Sequence, residues 1–455
     1  MKKLICLTLC FASAAAAVAG ADSPKSDPEA LKELRARVNV ARKHENYKED
    51  KIPPYVLPDP CTFADGRKLR DKSEWPARRR EILDIFAKEM YGAEPPKPEA
   101  VVVETVEKGE TLAGLGIRHQ IRMWFKADKS GPAVEWLIIR PKHAKGPVPA
   151  FVILNYGGNQ EFLEDEEIVM PTMMWPDGTE HPADPASRGA LRRTRSNASP
   201  LPIEIILARG YAVVTASFRN VSPDPSWNVT ADLEAASVKG VFSLWGPRDP
   251  KRTDLTGSLS AWAWTMSRAV DYIETDPALD AKRVVAYGCS RLAKTALLAA
   301  ARDERFAVCI PNQTGGCGLP LSKRWFGESP EISFLKFRHW YCAAYGKYGD
   351  REATVRGMPF DQHLLVAAIA PRRILGQGYP GAKFDAKGEF LSLKAASPAW
   401  ALFGLKGLPD VEFPDYYDTS AIGDYVGYVR RTGDHGISGY DWQWALDFAD
   451  RAFGK

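Results

Sequence analysis

Arg283-Val284-Val285-Ala286-Tyr287-Gly288-Cys289-Ser290-Arg291-Leu292-Ala293-Lys294 packs a strand, a turn and the start of a helix into one short stretch. Val284 to Tyr287 is a short apolar run, which predicts a buried strand. Gly288 breaks it. Thr295 to Arg302, rich in Ala and Leu, predicts a helix. A serine on a tight turn between a buried strand and a helix is placed as a nucleophile elbow places it, with its hydroxyl exposed. Gly288 relieves crowding in such a turn, and the helix N-terminus sets backbone N–H groups beside Ser290. A plain loop with a capping serine has the same residues, and G-x-S alone is common. The second glycine of the usual G-x-S-x-G pattern is absent, because Leu292 stands there.

Outward from this stretch, short apolar strands alternate with helices. Ala150 to Leu154, Tyr211 to Phe218, Phe306 to Pro311, Arg372 to Gly376 and Val426 to Arg430 are strand-like. Helices are predicted at Ile203 to Ala208, Leu259 to Thr275, His363 to Ile369 and Asp441 to Phe453. That alternation implies a parallel sheet covered on both faces. Before it, Val101 to Glu107, Arg118 to Lys126 and Ala133 to Arg140 suggest hairpins along one edge. An antiparallel N-terminal edge, a mostly parallel central sheet and a strand–Ser–helix elbow make up the α/β-hydrolase arrangement. Three parts are expected: a signal over 1–21, an N-terminal wrap and helix over 22–100, and the hydrolase domain over 101–455. The wrap holds a prolyl stretch, Ile52 to Pro60, and an amphipathic helix, Glu74 to Tyr91. Two long insertions, Gln160 to Asn197 with Met170, Met173, Met174 and Trp175, and Asp224 to Asp254 with Trp227 and Trp245, are expected to shape a binding site or simply to anchor loops.

The chain has 455 residues, 45% hydrophobic and 26% charged, with a formal net charge of +4. Both signs are mixed along it, so nothing points to nucleic acid. Lys2 and Lys3, the apolar Leu4 to Phe11 and Ala19-Gly20-Ala21 read as an export signal, so a secreted or periplasmic product without a membrane anchor is expected. Cys61, Cys289, Cys309, Cys317 and Cys342 follow the signal, allowing at most two disulfides. No C-x-x-C or H-E-x-x-H occurs, so neither a metal nor another cofactor is expected.

A serine nucleophile needs a base, and in this fold the histidine comes last in the chain. Of the seven histidines, His435 alone sits in a late loop after the last strand, in Thr432-Gly433-Asp434-His435-Gly436. His363 lies inside an apolar helix pattern, as a core histidine does. Tyr156-Gly157-Gly158 follows the strand from which a second oxyanion donor usually comes, and the Arg291 N–H is the expected first donor. Arg291 adds a fixed positive charge, and Lys294 lies one helical turn after Ser290.

These residues carry a resemblance. Gly288-Cys289-Ser290-Arg291-Leu292-Ala293-Lys294 resembles the G-C-S-R-x-G-K motif of glucuronoyl esterases, carbohydrate esterase family 15. Tyr156-Gly157-Gly158-Asn159, Arg209-Gly210-Tyr211, Ala261-Trp262-Ala263-Trp264, Phe326-Gly327-Glu328, His339-Trp340, Pro359-Phe360-Asp361-Gln362-His363, Gly388-Glu389-Phe390 and Gly433-Asp434-His435-Gly436 follow in that family's order. The similarity runs from about Tyr47 to the C-terminus. It implies cleavage of the ester between 4-O-methyl-glucuronic acid on xylan and lignin alcohols, with plant glucuronoxylan or a related uronic-acid ester as partner. It implies Ser290 as nucleophile, His435 as base, Arg291 on the oxyanion, and Lys294, Glu328 and Trp340 on the uronic acid.

The chain departs from the family at the triad acid. Gln313 stands at one of the family's two acid positions and Gly381 at the other, while Lys383 replaces a Trp and Ala293 a Gly. Gln313 is a neutral replacement for the acid; Asp385 and Asp434 are the remaining candidates. A neutral amide can accept the histidine N–H but cannot stabilise the imidazolium by charge, a loss of ~10⁴ in serine proteases. A Glu at position 313 is expected to cost little stability. Two readings stay open: an active esterase, or a weakened or inactive homologue that binds uronic-acid-containing polysaccharide. A carboxylate within reach of His435 would separate them.

Overall fold

The structure, a computed structural model, describes residues 28–193, 201–225, 238–249, 251–348 and 352–455. The export signal and Trp227 lie outside the described residues. Nine strands form one sheet in the order β1-β2-β3-β7-β4-β8-β9-β10-β11. They are β1 (Val102–Thr111), β2 (Gly116–Trp124), β3 (Ala133–Pro141), β4 (Val148–Asn155), β7 (Ala212–Ser217), β8 (Leu279–Cys289), β9 (Phe306–Asn312), β10 (Arg373–Gly378) and β11 (Val426–Arg430). A two-stranded hairpin, β5 (Thr172–Met174) and β6 (Glu180–Pro182), stands apart.

β1 to β3 pair antiparallel and β3 joins β7 antiparallel, whereas β7, β4, β8, β9, β10 and β11 all run parallel. This is the α/β-hydrolase architecture, with its antiparallel edge first in the chain. The parallel strands are buried along their length, which is why they appear in the sequence as apolar runs rather than alternations. Helix Ser258–Ile273 and the elbow helix Arg291–Arg302 bury Trp262, Met266, Leu297 and Leu298 on one face of the sheet. Helix Gly439–Phe453 covers the other face with Trp442 and Phe448.

The N-terminal helix Pro28–Lys43 packs Val38 and Ala41 on Ile332 and Leu335. The amphipathic helix occupies Trp75–Phe86 and then widens to a π-turn at Ala87–Tyr91, which reaches the predicted end. The elbow helix begins at Arg291, not Thr295. The first insertion is less irregular than its sequence suggests, since it holds the β5–β6 hairpin. Met173 and Met174 are buried there while Trp175 is partly exposed. Trp245 packs edge-on against Phe242 and Trp264. Cys61, Cys289, Cys309, Cys317 and Cys342 are all free thiols. Among the described residues no helix is long and apolar enough to cross a membrane.

Candidate active site

The site lies at the carboxyl ends of the parallel strands. β8 ends at Cys289, and Ser290 then takes φ 58° and ψ −127°. That conformation is costly for a non-glycine residue and is kept only where surrounding contacts enforce it. Here the Ser290 N–H donates to Asn312 O at 3.0 Å, and Ser290 O accepts from the Ala293 N–H at 2.9 Å. A Cβ at position 288 would lie 2.2 Å from Leu292 O, so only glycine permits the turn. The first N–H groups of the elbow helix have no intrahelical acceptor and point toward the serine side. Tyr156, from the loop after β4, donates its hydroxyl to Cys289 O at 2.8 Å, with the Ser290 side chain beside it.

The loop after β11 brings His435 to this end of the sheet. Arg431 organises it: the guanidinium donates to the carbonyls of Thr432, Asp434 and Gly436, and its Nε binds buried Asp441 at 2.6 Å. The His435 ring stands at the open mouth of the cleft, flanked by Tyr379 and Phe384 with ring centroids 5.3 and 4.5 Å away. Its Nδ1 lies 2.8 Å from Gln313 Oε1. The amide orientation is fixed by the backbone of one residue: Gln313 Nε2 donates to Gly436 O at 2.8 Å, and the Gly436 N–H donates to Oε1 at 2.9 Å. Oε1 can only accept, so Nδ1 carries the proton and Nε2 is the basic nitrogen.

Gln313 therefore holds the His435 ring, and Asp385 and Asp434 do not. The Asp385 carboxylate binds Arg324 at 2.9 Å and caps the helix Ala386–Ala396 through the Gly388 N–H. No carboxylate is bonded to His435 among the described residues. Desolvation, then the charges of Lys383, Lys294, Arg291 and Arg431, push its imidazole down to about 4. Solvent at the mouth screens part of this. The same geometry corrects the expectation that a Glu at 313 costs little: it would place a carboxylate oxygen against Gly436 O in place of an N–H donor.

Asp224 is a member of the site that the sequence does not announce. Its buried carboxylate pairs with Arg291 and accepts from His339 Nε2 and Trp340 Nε1, both at 2.8 Å. Those partners overcome desolvation and hold its pKa well below the carboxylate range. Arg291 lies over the Trp340 ring at 5.0 Å, and its buried Nε has no partner among the described residues. A cation anchored on one side with a free donor on the other suits a developing oxyanion.

Lys294 is buried, donates to Thr314 O at 2.6 Å and sits 5.6 Å from the Trp340 ring. Burial lowers its pKa, with the charge of Glu328 opposing. Glu328 is brought close by paired glycines: a Cβ at Gly316 would meet Glu328 O at 2.0 Å, and one at Gly315 would stand 3.4 Å from Glu328 Oε2. Trp340 is 3% exposed and stacks on Phe337 at 3.9 Å, so it forms the wall that carries both cations. Beneath, Glu389 accepts from the Thr314 N–H and hydroxyl at 3.2 and 3.1 Å and from the Tyr428 hydroxyl at 3.2 Å. Desolvation pushes its carboxyl up to about 8. His363 is buried far from this site, its Nε2 2.7 Å from Pro58 O.

Comparison with known proteins finds relatives of this chain. A family model described as fungal glucuronyl esterase matches residues 197–404. A carbohydrate esterase from an unknown prokaryotic organism is 35% identical over 414 residues, 89% of this chain and 91% of that one. The 4-O-methyl-glucuronoyl methylesterase of Cerrena unicolor is 26% identical over 71% of this chain, which spans 57% of that enzyme. The solved glucuronoyl esterase from Solibacter usitatus superposes with a TM-score of 0.80 at 34% identity, covering 90% of this chain and 100% of that one.

Proposed function

The chain belongs to the glucuronoyl esterase family, and on that premise we propose that it is a secreted or periplasmic serine esterase acting on an ester of (4-O-methyl-)glucuronic acid carried by xylan, as in lignin-carbohydrate cross-links. The expected parts are the signal over 1–21, the wrap over 22–100 and the catalytic domain over 101–455. The observation that carries the reading is Ser290 at φ 58° on the turn into the elbow helix, together with a His435 whose Nδ1–H is held by Gln313.

Ser290 Oγ attacks the ester carbon while His435 Nε2 takes its proton. The oxyanion meets the Arg291 N–H and guanidinium, and the Tyr156-Gly157-Gly158 loop supplies the second side; a single such donor is worth ~10²–10³ in turnover. Collapse expels the alcohol, which takes the proton from His435. Water, deprotonated by the same nitrogen, then attacks the acyl carbon, and Ser290 Oγ leaves with that proton from His435 as the acid is released. Lys294 and Glu328 address the uronic acid ring, a cation and a carboxylate for its hydroxyls, with Trp340 as the apolar wall behind.

Gln313 favours a second reading, a slow or silent relative that binds the polysaccharide, because an amide gives the imidazolium no countercharge. Labelling with a fluorophosphonate probe tests the first: the adduct should map to Ser290 and vanish in Ser290→Ala. Labelling that survives the substitution removes Ser290 from the mechanism. Glu328→Ala should weaken hydrolysis of benzyl glucuronate more than that of phenyl acetate, which has no ring hydroxyls. Equal losses would make Glu328 structural.

A further inference from the structure

Five aromatic side chains are exposed among the described residues, and two of them, Tyr417 and Tyr440, pack against each other beside the loop that carries His435. Tyr440 is 55% exposed and Tyr417 42%, while Trp444 beneath them is 8% exposed. The ring centroids of Tyr417 and Tyr440 are 5.0 Å apart with the rings edge-on at 60°, and Trp444 lies 6.2 and 6.1 Å from them at interplanar angles of 44° and 35°. A loop anchored on Trp444 would account for Tyr417 but not for the exposure of Tyr440.

Tyr417 is also held in a costly conformation. Its φ is 66°, a genuine outlier for a bulky residue. Its N–H donates to Arg430 O at 2.8 Å, and its hydroxyl lies 2.5 Å from Thr432 Oγ1. Strain kept by surrounding contacts at an exposed aromatic points to recognition. Thr432 is three residues before His435, so the two Cα atoms are at most about 11 Å apart. Tyr417 is therefore tied to the loop that carries His435.

We propose that Tyr417 and Tyr440, backed by Trp444, form a stacking platform for the pyranose rings of the polysaccharide whose uronyl ester enters the site. The inference rests on the reading of the chain as acting on an ester of such a polymer. Aromatic faces offer flat apolar area to the axial C–H face of a sugar. The rim supplies polar partners: the Asp415 side chain is fully exposed, Asp418 holds Ser420, and the Tyr417 and Thr432 hydroxyls are bonded to each other. That rim selects a chain rich in hydroxyls over an aryl polymer.

The test is the dissociation constant of the full chain for soluble glucuronoxylan, measured by affinity gel electrophoresis beside kcat/KM on benzyl glucuronate. Tyr440 is at the second position of the helix Gly439–Phe453, where Ala is well tolerated. Tyr440→Ala should weaken glucuronoxylan binding by about fivefold, the size of one aromatic contact, and Tyr440→Trp should not weaken it. Hydrolysis of the small ester should be unchanged in both. Glucuronoxylan binding equal in the parent and Tyr440→Ala, or absent in the parent, overturns the platform. So does a synthetic lignin polymer whose binding alone falls in Tyr440→Ala. Tyrosine-dependent glucuronoxylan binding without hydrolysis of benzyl glucuronate upholds the platform and removes the esterase reading instead.

Discussion

Gln313 Oε1 stands 2.8 Å from His435 Nδ1, at the point where the imidazole requires an acceptor. The contact performs one task of a triad acid and omits the other. It fixes the tautomer and the ring orientation. It supplies no negative charge for the imidazolium, which several cations surround.

The pH profile follows from this. His435 must be neutral to take the Ser290 proton. Its folded pKa is lowered to about 4, so the base stays competent as pH falls through the ordinary histidine range. The acid limb of kcat/KM is expected near pH 4, and a limb near 6.5 would mean that the cations do not act on the ring.

Gln313→Glu restores the charge. kcat/KM on benzyl glucuronate should rise at least about tenfold, ~1.4 kcal/mol of barrier, and the acid limb should move up. The fold should lose about 1–3 kcal/mol, because Gly436 O loses an N–H donor and faces a carboxylate. Urea denaturation and steady-state kinetics on the same preparations check both signs.

Asp224→Asn removes the countercharge of Arg291 but keeps the shape. The freed guanidinium should lose its fixed aim, lowering kcat/KM by ~10², the worth of one oxyanion donor. A change under twofold would show that Arg291 is positioned by Trp340 alone.

Glu389 ties stability to pH. Its folded pKa, about 8, exceeds the ordinary 4.5, so the native state holds the extra proton between those values. Its contribution is full below about pH 4.5 and is lost as pH rises through 8. Glu389→Gln should flatten the decline in urea midpoints between about pH 4.5 and 8; an unchanged slope would assign it to another group.

Much of this was legible in the chain. Parallel strands buried on both faces leave apolar runs such as Val148–Asn155, and the elbow is local, so both show in sequence. His435 follows from its place after the last strand. Asp224 does not, since it reaches Arg291 across 67 positions from within an insertion that has no periodicity. Nor does Arg431, whose grip on the His435 loop is made of backbone carbonyls. The β5–β6 strands, three residues each, are too short to alternate visibly. The helix Ala386–Ala396 starts on a left-handed Asp385 cap and carries Gly388, which masks its helical pattern.

The most direct measurement is release of benzyl alcohol from benzyl glucuronate by the parent chain and by Ser290→Ala, with equal folded fractions. A measurable kcat/KM in the parent that falls at least about 10³-fold in the variant is predicted. Hydrolysis that is equal in the two proteins, or no hydrolysis by the parent, would contradict the account.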